Sequence, residues 1–192
     1  MTNKEKILRV AYKMNYRNGY EQTSVDEIIS KAKISKSNFY YHFKSKESLG
    51  IAVLDLRIER YVNEVINETL MNNKLTPLRR LESFYNKVVK FHKENECKYG
   101  CPFGNLASEL SSKNHKFRKR LAAFFEQWRE KIELCLKDGI EKKEFSDKLN
   151  PKLFSEIILA HLEGAILISK TYKQINPLEK GSKEIIKLLK AA

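Results

Sequence analysis

Apolar side chains recur every three to four positions through almost the whole chain, which is the helical period. The first such stretch runs from about Asn3 to Asn18, with Ile7, Val10, Ala11 and Met14 on one face. Gly19 follows, where a left-handed cap is expected. Thr23 or Ser24 then caps a short second helix on Val25, Ile28, Ile29 and Ala32, with Asp26 and Glu27 in its first turn. Ser35 caps a third, running through Phe43, and Ser45 a fourth. The fourth is long, since Leu49, Val53, Leu56, Tyr61, Val65 and Ile66 carry it to about Met71. Thr76-Pro77, Asn150-Pro151 and Asn176-Pro177 each set a capping residue before a proline, so helices start near 77, 151 and 177. The first of these carries Leu78, Leu81, Phe84, Tyr85, Val88 and Val89. A loop over 95–102 precedes a short helix over 103–111. A long helix over 116–142 places Leu121, Phe124, Phe125, Trp128, Ile132 and Leu136 on its apolar side. The next, through Tyr172, carries Ile157, Ile158, His161, Leu162, Ala165 and Ile168; Ile185, Ile186, Leu188 and Leu189 close the last. The pattern predicts an all-α fold of about nine helices, with no strand pair and no internal repeat.

Composition agrees with that reading. Seven Gly and four Pro in 192 residues leave little material for the turns of a many-stranded protein. Apolar residues, at 42%, suffice for a sizeable core, yet no apolar run approaches the roughly 20 residues that span a bilayer. The chain opens directly into an amphipathic pattern without the apolar core of a signal peptide, so the cytoplasm is expected. Three cysteines are too few, and odd in number, for a disulfide framework.

Charge narrows the choice of partner. The net charge is +13, and residues 1–46 hold ten Lys/Arg against four Asp/Glu. Nucleic acid is the first partner this suggests and an anionic membrane surface the second. The segment from Thr23 to Glu47 holds two helices too short to stand alone, joined by the tight turn Ala32-Lys33-Ile34-Ser35. Ile28, Ile29, Ile34 and Phe39 face inward, which leaves Lys36, Ser37, Asn38, Tyr40, Tyr41 and His42 on the outer face. That is a helix-turn-helix, and its outer face has the polar and aromatic groups that meet DNA.

This segment resembles the N-terminal DNA-binding domain of TetR-type transcriptional repressors. The run Phe39-Tyr-Tyr-His-Phe-Lys-Ser-Lys-Glu47 is close to that family's signature after its recognition helix, and the nine-helix outline and length also match. Lys33 departs from the glycine usual in the family's turn and would have to accept a left-handed conformation. The resemblance implies a helix-turn-helix domain over 1–46 and a ligand-binding and dimerisation domain over 47–192. In helix-turn-helix docking Lys36, Ser37, Asn38 and Tyr41 approach base edges. Tyr40, His42 and Lys46 match family positions that hold the DNA backbone, and Tyr40 can pack in the core as well. Thr23 and Ser24 can offer hydroxyl and amide donors to a phosphate. The recognition helix has no Arg, so strong readout of guanine falls to Lys36 alone.

A single helix-turn-helix makes few base contacts, so a homodimer on a palindromic double-stranded DNA operator is expected. By resemblance the two long C-terminal helices form the dimer, through Phe154, Ile158, Leu162, Gly164, Ala165 and Ile168. Gly164-Ala165 would equally ease an internal helix crossing. The family's middle helices enclose a small-molecule effector that releases DNA. Candidate lining residues are Phe84, Val88, Cys101, Phe103, Phe124, Trp128 and His161, faces with few charges that suit a mostly hydrophobic effector. No metal site or cofactor is expected, because the Cys97-x3-Cys101 spacing lacks a tetrahedral ligand set. Cys101 is either a packed small hydrophobe or the thiol of a redox or electrophile sensor, since the stretch Gly100-Cys-Pro-Phe-Gly-Asn-Leu106 resembles a segment of some TetR-type regulators. No phosphate-binding glycine loop, HExxH or nucleophile elbow marks an enzyme. A DNA-binding adaptor without ligand response remains a rival on the same fold. The division of roles predicts that Lys46→Ala weakens binding to all DNA sequences alike, while Asn38→Ala changes the preference between them. Binding titrations against operator and scrambled duplexes separate the two, and equal behaviour of both variants refutes the division.

Overall fold

The computed structural model describes residues 1–191. Among these are nine α-helices and no strand: α1 (Asn3–Asn18), α2 (Val25–Ala32), α3 (Lys36–His42), α4 (Lys46–Tyr61), α5 (Pro77–Glu94), α6 (Pro102–Leu110), α7 (His115–Glu141), α8 (Pro151–Tyr172) and α9 (Asn176–Ala191). Two compact units divide the chain. One holds Met1–Arg60 together with Pro102–Leu121; the other holds Tyr61–Cys101 and the residues from Ala122 onward. α6 and the first turns of α7 therefore belong with the N-terminal helices.

In the first unit, helix starts follow capping chemistry. Thr2 and Glu5 form a capping box on α1, and Ser24 and Glu27 form one on α2. Gly19 ends α1 at φ 92°, ψ 157°, an extended mirror-image conformation reserved for glycine, not the expected left-handed cap. Ile7, Ala11 and Met14 of α1, Ile28 of α2, Phe39 of α3, Phe43, and Leu49 and Val53 of α4 form one core. Arg57 locks α4 to α1: its guanidinium donates to the Tyr12 carbonyl at 2.7 Å and lies 3.8 Å above the Tyr12 ring. Gly50 of α4 lets two aromatic rings approach. A Cβ there would overlap the Tyr20 ring and lie 2.8 Å from Phe117 Cζ.

α4 is shorter than its apolar period implies. Val62–Asn67 continue it as a π-helical turn, so the regular helix stops ten residues before Met71. In the second unit, Thr76 and Asn150 cap α5 and α8 ahead of Pro77 and Pro151, as the sequence suggests. α9 differs by one residue: Asn176 is already helical, and the Ile175 carbonyl accepts the first bond from Glu179. α8 and α9 pack along one another, with Gly181 under the His161 ring and the Leu178 amide donating to Ser169 Oγ. Arg80 joins α5 to α7 through Asp138 at 2.7 Å, and Arg129 of α7 meets Glu126, Glu133 and Ser155.

His92 of α5 is buried, and burial pulls its pKa down to about 4. The unfolded chain takes up this proton near pH 6.5, while the folded protein refuses it until about pH 4. Stability from this group is therefore intact above pH 6.5 and declines as pH falls to 4, by on the order of 3 kcal/mol. Urea unfolding at pH 7.5 and 4.5 should show a smaller acid loss in His92→Gln than in the parent; an equal loss rejects the assignment.

Candidate nucleic-acid interface

α3 has only seven residues, and its position depends on what flanks it. Ser35 caps it by accepting from the Asn38 amide at 3.2 Å. Phe39 is fully buried and meets Phe43 and Tyr40 ring to ring. The turn before it closes through Lys33, which adopts φ 54°, ψ 53° and sends its amide to the Ile29 and Ser30 carbonyls. Lysine thus takes the place expected for glycine, at a cost on the order of 1 kcal/mol.

The outer face of α3 is open. Tyr41 is 84% exposed and Tyr40 48%, so Tyr40 packs on Phe39 with one edge and leaves the other free. Lys36 and Ser37 are exposed as well. Lys36 lies 3.5 Å from Asp26, a surface pair too weak to hold it against a phosphate. Ser37 shares a hydroxyl–hydroxyl bond of 3.0 Å with Ser35. His42 meets the Tyr41 ring edge-on. Asn38 is half-buried, and its Oδ1 is shielded without a partner in the free protein.

The N-terminus of α2 differs from the expectation. Thr23 is fully buried, and its hydroxyl donates to the Gly19 carbonyl at 2.7 Å, so it offers nothing to a phosphate. Ser24 is exposed, but the Glu27 carboxylate already takes its amide and hydroxyl, each at 2.9 Å. Those bonds hold the Glu27 carboxyl below the usual range. The helix end is thus filled from within, and a phosphate would have to displace that carboxylate. The Ser24-x-x-Glu27 spacing announces this capping box.

A polar clamp behind the reading head escaped sequence reasoning. Glu109 of α6 accepts from the Tyr20 amide at 3.1 Å and the Glu21 amide at 2.6 Å. Lys113 pairs with Glu21 at 3.0 Å. Lys46 donates to the Glu21 carbonyl at 2.9 Å and stands 4.7 Å over the Tyr20 ring. Its ammonium therefore secures the loop that enters α2. Asn114 and Lys116 both reach Glu47, whose carboxyl is held low first by Lys116 and then by Asn114. No local pattern signals bonds between residues nearly ninety positions apart.

The candidate lining residues separate. Phe84, Phe124 and Trp128 lie in the second unit as one aromatic cluster, Trp128 being 6.0 Å from Phe84 and 5.7 Å from Phe124, and Val88 is buried nearby in α5. Tyr61 joins them at 4.8 Å from Trp128. Phe103 is buried in the first unit, and His161 is taken up by the contact with Gly181. Cys101 is buried, and its thiol bonds to the Glu163 carboxylate. Of the expected dimer residues, Ile158, Leu162 and Ala165 are buried within their own unit. Phe154 is half-buried, Ile168 is 45% exposed, and Gly164 has open space around it. α8 instead exposes Leu153, Ile157, Leu167, Ile168 and Tyr172.

A buried three-helix core presenting a short polar-aromatic helix defines a helix-turn-helix DNA-binding transcriptional regulator. The chain belongs to the tetR family of bacterial regulatory proteins: the family's N-terminal model matches residues 7–53, and the tetracyclin repressor-like C-terminal domain matches residues 77–185. It is 32% identical to the HTH-type transcriptional repressor DhaR of Mycobacterium sp. (strain GP1), over 84% of this chain and 79% of that one. It is 31% identical to an uncharacterized HTH-type transcriptional regulator in the lacX 3'region of Lactococcus lactis subsp. lactis, over 92% and 87%. The fold matches a regulatory protein TetR from Rhodobacter sphaeroides with a TM-score of 0.87 at 24% identity, covering 96% of this chain and 97% of that one.

The clamp predicts a measurable effect. Glu109→Gln turns one acceptor into a donor facing the Glu21 amide. The loss of a charged hydrogen bond should cost about 1–3 kcal/mol locally. Amide exchange at Tyr20 and Glu21 should quicken, and operator affinity should fall several-fold. Unchanged exchange at both amides would show that the clamp does not hold the loop.

Proposed function

We propose that the protein is a homodimeric repressor that reads a palindromic operator through α3 and releases it when a small, mostly apolar effector enters the second unit. The observation that carries the reading is the open face of α3, where Lys36, Ser37 and Tyr41 stand exposed on a helix held from behind by buried Phe39. Base contacts are assigned to Lys36, Ser37, Asn38 and Tyr41, and backbone contacts to Tyr40 and His42, with Lys46 placing the loop behind them. Residues 1–46 read DNA in this scheme; the remainder serves effector and dimer. The printed name of the similar Mycobacterium protein supports repression as the direction of control. No described helix is long and apolar enough to cross a membrane.

Two copies meet through the exposed apolar stripe of α8. Leu153, Ile157, Gly164 and Ile168 recur at helical spacing, with Leu167, at 61% exposure, and Tyr172 beside them. Small Gly164 permits close approach of two helices. The thiol-sensing alternative has Cys101 buried and bonded to the Glu163 carboxyl, so it would require that thiol to become accessible.

The test is binding of the full chain to DNA upstream of its own coding region, at near-physiological salt with competitor DNA. Specific binding by a dimer is expected, with affinity falling steeply as salt rises. Leu167→Arg should yield monomers in sedimentation and weaken operator binding by at least about a hundredfold, because two half-sites are no longer bound together. Specific, undiminished binding by a monomeric variant would refute the dimeric reading. Binding at many sites with no compound able to release it would favour the adaptor.

A further inference from the structure

We propose that Glu163 anchors a binding site for an organic cation, an ammonium or amidinium on an apolar body, beside the Tyr61–Trp128 ring cluster. The inference deepens the effector reading above and rests on it.

The two buried arginines of the second unit are answered by carboxylates. Arg80 has Asp138 at 2.7 Å, and Arg129 has Glu126 and Glu133. Glu163 is treated differently. It sits on α8 between apolar Leu162 and Ala165, and its Oε1 is shielded from solvent with no hydrogen-bond partner. The carboxylate's bond comes from the Cys101 thiol, a weak and neutral donor. Burial raises the Glu163 pKa, and only that thiol works in the other direction. A shielded carboxyl with an unused acceptor favours a positive partner.

The surroundings suit such a partner. Tyr61 is half-buried with its hydroxyl shielded, and the charges of both Cys101 and Glu163 act on that phenol, so the carboxyl lies near it. The Tyr61 ring lies 4.8 Å from Trp128 and 5.9 Å from Phe124, and Trp128 stacks on Phe125 at 6.4 Å. Aromatic faces attract cations and also accept an apolar body. The π-helical turn begins directly after Tyr61, an irregularity found mostly at functional positions. A neutral ligand can satisfy the rings but leaves the carboxylate unanswered. The site therefore selects for charge.

Trp128 is the sole tryptophan, so its fluorescence reports this site alone. The probes are 2-phenylethylammonium and 2-phenylethanol, which share a skeleton and differ in the charged nitrogen. The ammonium should bind at least about tenfold more tightly. Glu163→Gln should abolish that preference while leaving the alcohol's affinity unchanged, and Glu163→Asp should keep part of it. Thermal melts verify that both variants fold. Equal binding of the two probes to the parent protein, or a preference that survives Glu163→Gln, overturns the cation site and leaves an effector pocket standing. No response of Trp128 to either probe, in protein that still binds its operator, overturns the placement of any effector site at these rings.

Discussion

A seven-residue helix has no stability of its own in water, because the cost of nucleating it exceeds what so few hydrogen bonds return. The DNA-facing geometry of this protein depends on how that deficit is covered at α3. Phe39 anchors the helix to the core formed with Ile7, Ala11, Met14 and Ile28, and Ser35 fixes its start. Because Phe39 is turned fully inward, Tyr40 and Tyr41 are forced outward in turn. Exposure of Tyr41 is thus a consequence of packing two residues earlier. The same logic extends backward, since α2 can support α3 only if the loop from Gly19 to Thr23 is fixed. That loop carries buried Thr23 and two backbone amides, which Glu109 satisfies.

Much of this was legible in the sequence, because it rests on local rules. Helical periodicity placed all nine helices, and the proline-preceding caps at Thr76 and Asn150 fell where expected. The family signature placed the reading head. The misses have physical causes. Periodicity could not see that α4 widens into a π-helical turn after Tyr61, since an inserted residue shifts the apolar face without removing apolar residues. Thr23 suits a helix start and so reads as a donor to phosphate, but the neighbouring Ser24 with Glu27 three residues on is the better cap, and the buried Thr23 hydroxyl turns to the Gly19 carbonyl. On α8 both faces are apolar, so period alone could not say which one the unit's own core takes. The structure gives Ile158 and Leu162 to the core and leaves Ile157 and Leu167 outside.

Ionic bonds carry the long-range part of the first unit. Glu47, Glu21 and Glu109 all lie at the rear of the helix-turn-helix, and their charges, after burial itself, push the Tyr20 hydroxyl up to about 12. Lys46, Lys113 and Lys116 balance them. Three lysines of this strongly cationic chain are therefore committed to internal bonds and are only partly available to phosphates. Net charge overstates the DNA-facing charge for that reason. The open face of α3 itself holds one lysine, so under the proposed contacts affinity draws on tyrosine, serine and asparagine as well as on charge.

The second unit poses the opposite problem, a carboxylate with too little positive charge nearby. In the proposed site, that one group bears on which of two sensing chemistries the place would suit. A thiol becomes reactive when its surroundings stabilise the thiolate, which requires a cation or a helix N-terminus close by. Cys101 has the Glu163 carboxyl beside it instead. In the proposed site its thiol is the weak donor that a cationic guest replaces. On the proposed reading, the regulator answers a molecule that brings charge into the aromatic cluster, and the buried Cys101 thiol yields its place beside the carboxyl to that guest.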